Sequence, residues 1–217
     1  MKDFDAVIFD MDGVIFDSER TLMSCWGELA DKYGISHVKE TYLACLGVTR
    51  KKTEEIVKAA YGPDFPFEKY WHEAWEIYFD KYGEGRLPVK PGVRGIMQFL
   101  KKEGKKIALA SSTARPIVLR ELGEAGLLES FDEIVTGDMV THSKPDPEIF
   151  LLACEKLSVL PERSYAVEDS FNGIRAAHCG GLRPIMVPDL LAADEEMKGL
   201  AEAVLGSLND VIAYLQA

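Results

Sequence analysis

The stretch VIFDMDGVIFDSE, Val7 to Glu19, decides the fold. Four apolar residues, Ala6 to Phe9, run without alternation into Asp10, and Asp12 and Gly13 follow. An unbroken apolar run of this length suits a strand buried on both faces of a parallel sheet. Packing alone gives no reason to end such a strand with two acids.

The same signature recurs at Ile107–Ala110, Glu133–Thr136, Tyr165–Val167 and Ile185–Val187, and more weakly at Ala203–Leu205. Helical patterns lie between. Val93, Ile96, Met97 and Leu100 share a helix face, with Gly104 where a C-terminal cap belongs. Pro116 opens a second helix, Asp146 and Pro147 read as cap and first helical position of a third, and Ser207 caps Leu208–Leu215. Alternating strand and helix predict an α/β fold, a Rossmann-like parallel-sheet core.

One region breaks the alternation. From about Asp17 to Tyr82 only helical periodicity is found, with stripes at Leu22, Cys25, Trp26, Leu29 and at Trp71, Trp75, Tyr78, Phe79, Tyr82. The aromatic stripe is read as packing. The Asp12-Gly13 turn and the Gly- and Pro-punctuated GEGRLPVKPG (Gly83 to Gly92) bound this block. The expected organisation is a core of residues 1–16 and 87–217 with an all-helical cap domain, 17–86, inserted after the first strand and able to open about Phe16-Asp17 and Gly83–Pro91.

The chain has 217 residues, 47% hydrophobic and 28% charged, enough to bury a full core without staples. A net charge of −11 with no Lys/Arg stripe argues against nucleic acid. No stretch approaches the ~20 apolar residues of a membrane span, and the run in MKDFDAVIFD is too short for a signal sequence, so a cytoplasmic location is expected. Cys25, Cys45, Cys154 and Cys179 have no ligand spacing and are read as reduced, mostly buried thiols; the four histidines are read as structural or solvent-facing. No protein partner is implied.

In open α/β sheets ligands bind at the carboxyl ends of the strands. Those ends carry Asp10-Met11-Asp12-Gly13, Ser111-Ser112-Thr113, Gly137-Asp138 with Lys144 shortly after, and Glu168-Asp169-Ser170. Converging carboxylates raise one another's pKa and call for a cation. Oxygen donors without His or Cys favour a hard ion, Mg²⁺ beside phosphate. Lys144 adds positive charge, and Ser111, expected at a helix start, offers an anion site with backbone N–H groups. This set suits phosphoryl transfer, with Asp10 as nucleophile and Asp12 as proton donor and acceptor. Singly, each group has an ordinary reading as turn, cap or surface charge. Together and in order, each just after an apolar strand, they are hard to derive from packing.

FDMDGVIFDSE, LASST, SKPDPEIF (Ser143–Phe150) and VEDSFNGIRAA (Val167–Ala177) give the chain a likeness that spans nearly its whole length. It resembles the haloacid dehalogenase (HAD) superfamily, in the helical-cap branch and the beta-phosphoglucomutase-like group. The resemblance implies Mg²⁺ held by Asp10, the Asp12 backbone carbonyl and Asp169, with Glu168 in support, Ser111, Ser112 and Lys144 on the transferring phosphoryl group, and an aspartyl-phosphate intermediate. LGVTR, Leu46 to Arg50, is similar to the group's cap motif, so Arg50 is expected to reach a distal anionic group of the substrate. Leu22 and Leu46 stand where the mutases carry His and Lys. The expectation is therefore a Mg²⁺-dependent phosphatase for a small phosphorylated metabolite, a sugar or polyol phosphate, ahead of a hexose-phosphate mutase. A receiver-like signalling module is disfavoured by chain length, the inserted helices and the place of Asp10 on the first strand.

Overall fold

The computed structural model describes residues 2–217; Met1, the first residue of the expected core, lies outside them. Six strands form one parallel sheet: β1 (Ala6–Phe9), β2 (Lys106–Ser111), β3 (Glu133–Thr136), β4 (Ser164–Glu168), β5 (Arg183–Met186) and β6 (Ala203–Val204). Their order is β3-β2-β1-β4-β5-β6, so the chain leaves β1 toward one edge and later returns to its other side. The carboxyl end of β1 is thus the topological switch point, where a crevice opens. Phe9 is level with Leu109 on one neighbour and Val167 on the other, which sets Asp10 beside the last residues of β2 and β4.

Four helices follow β1 without a strand between them: α1 (Ser18–Tyr33), α2 (Val38–Ala44), α3 (Arg50–Tyr61) and α4 (Phe67–Tyr82). The remainder, α5 (Val93–Lys102), α6 (Arg115–Glu124), α7 (Glu148–Leu157), α8 (Phe171–Cys179), α9 (Glu195–Leu200) and α10 (Leu208–Gln216), belong to the sheet layers. The alternation of β1 explains the two layers. Val7 and Phe9 face a core with Ile96, Leu100, Val211 and Leu215 of α5 and α10. Ala6 and Ile8 face the opposite core with Phe150 and Ala153 of α7 and Ala176 of α8. Each fully buried large apolar side chain contributes about 1.5–3 kcal/mol against exposure.

Several boundaries differ from the apolar runs. β2 and β4 extend one residue further at each end, because the ladder pairs Lys106 and Ser164 with Ala6, Ser111 with Thr136, and Glu168 with Met186. β5 starts two residues before Ile185, since Arg183 pairs with Tyr165. Val187 and Leu205 fall just outside their strands, although their N–H groups still donate to Glu168 (2.7 Å) and Met186 (2.8 Å) carbonyls. Helix α7 begins at Glu148, one residue later than expected, and the Asp146 carboxylate accepts the Glu148 N–H at 3.0 Å. The other caps are as read: Gly104 is left-handed (φ +65°), and Ser207 Oγ accepts the Asp210 N–H. Cys25 and Cys154 are buried, Cys45 is half-buried and Cys179 exposed, all unpaired. The four histidines are exposed. No helix among the described residues is long and apolar enough to cross a membrane.

The helical block joins the sheet through two strands of linker that run side by side. Asp17 N–H donates to the Pro88 carbonyl (3.0 Å) and Lys90 N–H to that of Ile15 (2.9 Å), around an antiparallel bridge of Phe16 and Val89. Asp189, in the loop after β5, fixes this seam by accepting from Lys90 Nζ (2.7 Å) and from Arg20 of α1 (3.1 Å). A further tie is buried. The Tyr78 hydroxyl of α4 donates to Glu121 of α6 at 3.0 Å.

Burial pushes Glu121 from 4.5 up to about 8; the charge of Asp12 adds to the rise and the Tyr78 hydrogen bond opposes it. The folded state therefore binds more protons than the unfolded one, and stability falls as pH climbs through that range. Glu121→Gln keeps an acceptor for Tyr78 but cannot ionise. Its melting temperature is expected to match the parent near pH ~5 and exceed it by several degrees near pH ~8.5. Thermal melts of both proteins at the two pH values test this; an equal gap at both contradicts it.

Candidate active site

The end of β1 is built around one lysine. Asp10, whose N–H is held by the Val167 carbonyl at 3.0 Å, is 4% exposed. Lys144, in the loop before α7, is 1% exposed and spends its three protons on Asp10 Oδ1 (2.7 Å), Glu168 Oε1 (2.6 Å) and the Ala110 carbonyl (3.1 Å). Glu168 Oε2 accepts from the Asp169 and Ser170 N–H groups, each at 3.2 Å, and from Ser170 Oγ at 3.0 Å. Ser170, not Glu168 or Asp169, caps α8, taking the Gly173 N–H at 3.0 Å.

Two glycines let the acids come together. The chain turns tightly after Asp10, with the Gly13 N–H on the Phe16 carbonyl (2.9 Å) and Gly13 at φ +79°. A Cβ there would lie 2.2 Å from Asp169 Oδ2, and one on Gly173 would lie 1.9 Å from the Glu168 carboxyl.

Asp12 points at hydroxyls. Its carboxylate accepts from Ser18 (2.6 Å), Thr113 (2.8 Å) and Ser111 (3.3 Å). Ser111 is the last residue of β2, and α6 starts only at Arg115, so the expectation that Ser111 begins a helix is corrected: the ladder to β3 carries it as strand. Its Oγ instead accepts the Thr113 N–H at 3.1 Å. The Ser112 hydroxyl donates to the Gly47 carbonyl at 2.9 Å. That contact is one of three that seat the α2–α3 loop on the core. Asn172 donates to the Leu46 carbonyl (3.0 Å), and Ser143 Oγ accepts the Thr49 N–H (2.8 Å).

One oxygen from each of Asp10, Glu168 and Asp169 lies within 4.8 Å of the others. Burial pushes Asp10 up to about 8, with Lys144 pulling down and Glu168 and Asp12 adding to the rise. Asp169 is raised well above the carboxylate range by burial, then by Glu168 and Asp10. Burial alone would lower Lys144, but Asp10 and Glu168 hold it above the ordinary lysine value. Three crowded acids thus face one ammonium, and the Asp169 carboxylate accepts no hydrogen bond among the described residues. An all-oxygen set with excess negative charge fits a hard divalent cation held by Asp10 and Asp169. A second group, His142, Asp146 and Glu148, is more exposed, and Glu148 is already occupied by the Thr141 and His142 N–H groups.

Above these acids lies a cavity of about 170 Å³, floored by Asp10 and Asp12 and roofed by the inserted helices. Trp71, Trp75 and Tyr78 line it; their rings pack against one another, as read from the stripe, and the same face also meets the cavity. Arg50 lines it too, but its guanidinium pairs with Glu68 and lies over the Trp71 ring at 5.6 Å. Sequence reasoning gave no individual role to Ser18, Thr113, Glu19 or Tyr42, although the Asp17-Ser18-Glu19 triplet as a whole resembles that of the hydrolytic members of the group. The Tyr42 hydroxyl donates to Glu19 Oε2 at 2.6 Å. Burial pushes Glu19 up to about 8, helped by Asp12 and opposed by the Tyr42 hydrogen bond. Only the place of Ser18 and Glu19 directly after the first linker could have signalled them.

The family model for haloacid dehalogenase-like hydrolase matches residues 4–181. The chain is 34% identical over 216 residues to a phosphorylated carbohydrates phosphatase of Thermotoga maritima, covering 98% of this chain and 91% of that protein. It is 29% identical over 209 residues to hexitol phosphatase B of Escherichia coli, covering 96% and 94%. It superposes on a β-phosphoglucomutase of Clostridium difficile with a TM-score of 0.82 at 26% identity, covering 98% and 96%.

The excess of buried acid gives a readout independent of turnover. Mg²⁺ at about a hundred times its dissociation constant is expected to stabilise the protein by about 2.7 kcal/mol, roughly 5–10 °C in melting temperature at this size. Asp169→Asn is expected to lose that shift and, without the ion, to melt at least as high as the parent. Retention of the shift by the variant would separate the ion from these carboxylates.

Proposed function

The chain belongs to the haloacid dehalogenase-like hydrolases, and from that premise we propose that this phosphatase hydrolyses a phosphorylated carbohydrate, a sugar or polyol phosphate, through a phospho-Asp10 intermediate with Mg²⁺. The observation that carries the reading is the buried Lys144 ammonium shared by Asp10 and Glu168 beneath an open cavity. Residues 17–86 act as the cap over a core of 1–16 and 87–217.

In the proposed reaction the phosphoryl group rests against Lys144 and the Ser111-Ser112 segment, with the ester oxygen toward Asp12. Asp10 attacks phosphorus. Asp12 gives its proton to the departing alkoxide, then takes one from the water that attacks phospho-Asp10, so the enzyme returns to its starting state. The Ser18, Thr113 and Ser111 hydroxyls hold the Asp12 carboxyl in position for both transfers. Lys144 keeps Asp10 oriented and offsets charge on the phosphoryl oxygens. Mg²⁺, held by Asp10, Asp169 and the Asp12 carbonyl, would neutralise charge on the phosphoryl group, and Glu168 supports it through Lys144 and the Asp169 N–H.

Likeness to the mutase fold favours a second reading, transfer between two hydroxyls of a hexose phosphate. Two cap residues argue for hydrolysis. Leu22 lines the cavity and Leu46 is buried, so neither offers a polar hold for a bisphosphate intermediate.

With phenyl phosphate and Mg²⁺, Asp10→Asn is expected to lower kcat by about a thousandfold or more, and chelation of the metal to abolish turnover. With a sugar phosphate, phosphate and free sugar are expected in equal amounts. Undiminished hydrolysis by Asp10→Asn removes the nucleophile assignment; isomer interconversion without phosphate release transfers the reading to the mutase.

A further inference from the structure

Asp189 is an acid at the end of β5 to which the proposed chemistry gives no part. It follows Val187 and Pro188, and β5 pairs with β4, whose end carries Glu168 and Asp169. Its side chain is 3% exposed. Its two oxygens are used unequally. Oδ1 accepts from both Lys90 Nζ (2.7 Å) and Arg20 Nη2 (3.1 Å). Oδ2 is buried and accepts no hydrogen bond among the described residues. A carboxylate oxygen taken out of water and left unpaired is costly, and such a group calls for an explanation.

The arginine opposite is equally unfinished. Arg20 carries five N–H donors in a planar fork. Nη2 serves Asp189, while Nε lies 3.5 Å from Asp17 Oδ1, too far for a good hydrogen bond. The side chain is 56% exposed, so it is free to turn. An arginine and a carboxylate pair most strongly through two parallel N–H···O bonds. Here one bond is made and the second oxygen stands vacant. Asp189 belongs to the core, and Arg20 belongs to α1, whose Leu22 and Trp26 line the cavity over Asp10. A shift of α1 is therefore felt at the cavity and at this pair together.

We infer that Arg20 and Asp189 are the closing clamp of the cap: as the cap settles on a substrate, α1 moves against the loop after β5 and a second guanidinium N–H reaches Asp189 Oδ2, completing a two-bond pair. The inference rests on the phosphatase reading above and adds to it the contact that holds the closed form. Both are positioning residues. They touch neither the phosphoryl group nor the tail; they keep α1 in place, and with it Ser18 on Asp12, through both proton transfers. Arginine presents two donors on one planar edge, whereas lysine offers a point charge. A lysine at position 20 keeps the ion pair and loses the fork.

The test uses the Mg²⁺-loaded protein with a hexitol monophosphate and phenyl phosphate, and the variants Arg20→Lys, Arg20→Gln, Asp189→Asn and the Arg20→Gln/Asp189→Asn double. Both Arg20 variants are expected to lower kcat/KM for the hexitol monophosphate at least about fivefold. Arg20→Lys is expected to melt with the parent, so its loss is not one of stability. The double variant is expected to lose no more than the worse single one, because each removes the same pair. Small-angle scattering gives a readout without turnover: vanadate is expected to compact the parent, and to compact Arg20→Lys less. Arg20→Lys within about twofold of the parent, additive losses in the double variant, or compaction that is absent from the parent or equal in Arg20→Lys, overturns the inference. If Asp189→Asn melts too low to assay, the two Arg20 variants decide, since that side chain is half exposed. Failure of the parent to hydrolyse even phenyl phosphate removes the phosphatase reading itself, whereas phenyl phosphate turnover with unaltered Arg20 variants removes this inference alone.

Discussion

One ammonium group organises this molecule. Lys144 Nζ lies out of solvent between Asp10 and Glu168 and against the Ala110 carbonyl, so a single cation ties the ends of β1, β2 and β4 to the loop before α7. The desolvation of such a group is tolerable only because every proton it carries is used. Taking the lysine away would leave two buried acids facing each other, a loss on the order of 3–5 kcal/mol for a broken buried pair. The same arrangement leaves Asp169 without an answer to its charge, and that residue is where a divalent ion has most to offer. Stability and chemistry are therefore drawn from the same few contacts.

The crowding around Lys144 dictates residues that carry no charge. Gly13 and Gly173 are needed because the Asp169 and Glu168 carboxyls occupy the space a Cβ would fill. Gly47 belongs to the same set from the other side: it is left-handed (φ +73°), and a Cβ on it would lie 2.3 Å from Ser170 Oγ. The α2–α3 loop can thus press onto the core and hand its Gly47 carbonyl to Ser112. The helical block is held by the linker seam at Phe16 and Val89, by this loop, and by Tyr78 on Glu121. The linker bridge is covalently continuous with the chain. The loop contacts, Tyr78–Glu121, Ser18–Asp12 and Arg20–Asp189 are among those that an opening motion would have to break.

Much of this was legible in the sequence, for a reason particular to parallel sheets. A strand buried on both faces must be apolar throughout, so Ala6–Phe9 shows its limits directly, and whatever follows it stands at the crevice. Ladder pairs at strand ends were not legible, because Lys106, Ser164 and Glu168 are polar and gain their place from neighbours distant in sequence. Ser111 was misassigned for the same reason. The α4 stripe shows a different limit. Helical period tells which residues share a face, but Trp71 and Trp75 required the fold to show that their face meets a cavity. Glu19 is visible in the sequence only as part of the Asp17-Ser18-Glu19 triplet, since a glutamate in the first turn of a helix reads by itself as an ordinary partner of the helix dipole.

The division between core and inserted helices has a physical basis in these contacts. The proposed reacting groups of β1, β2 and β4 sit at or just beyond strand ends whose relative positions are set by sheet register, and register moves only in whole residues. The cavity walls come from α1, α2, α3 and α4, whose side chains can be exchanged without disturbing a ladder hydrogen bond. Leu22, Trp71 and Glu19 can therefore be exchanged, reshaping the cavity, while Asp10, Lys144 and Asp169 keep their spacing. Asp12 couples the two parts. It follows β1 yet takes one of its hydroxyl partners, Ser18, from the first turn of α1, so the proposed proton donor is fully held only when the helical block is seated.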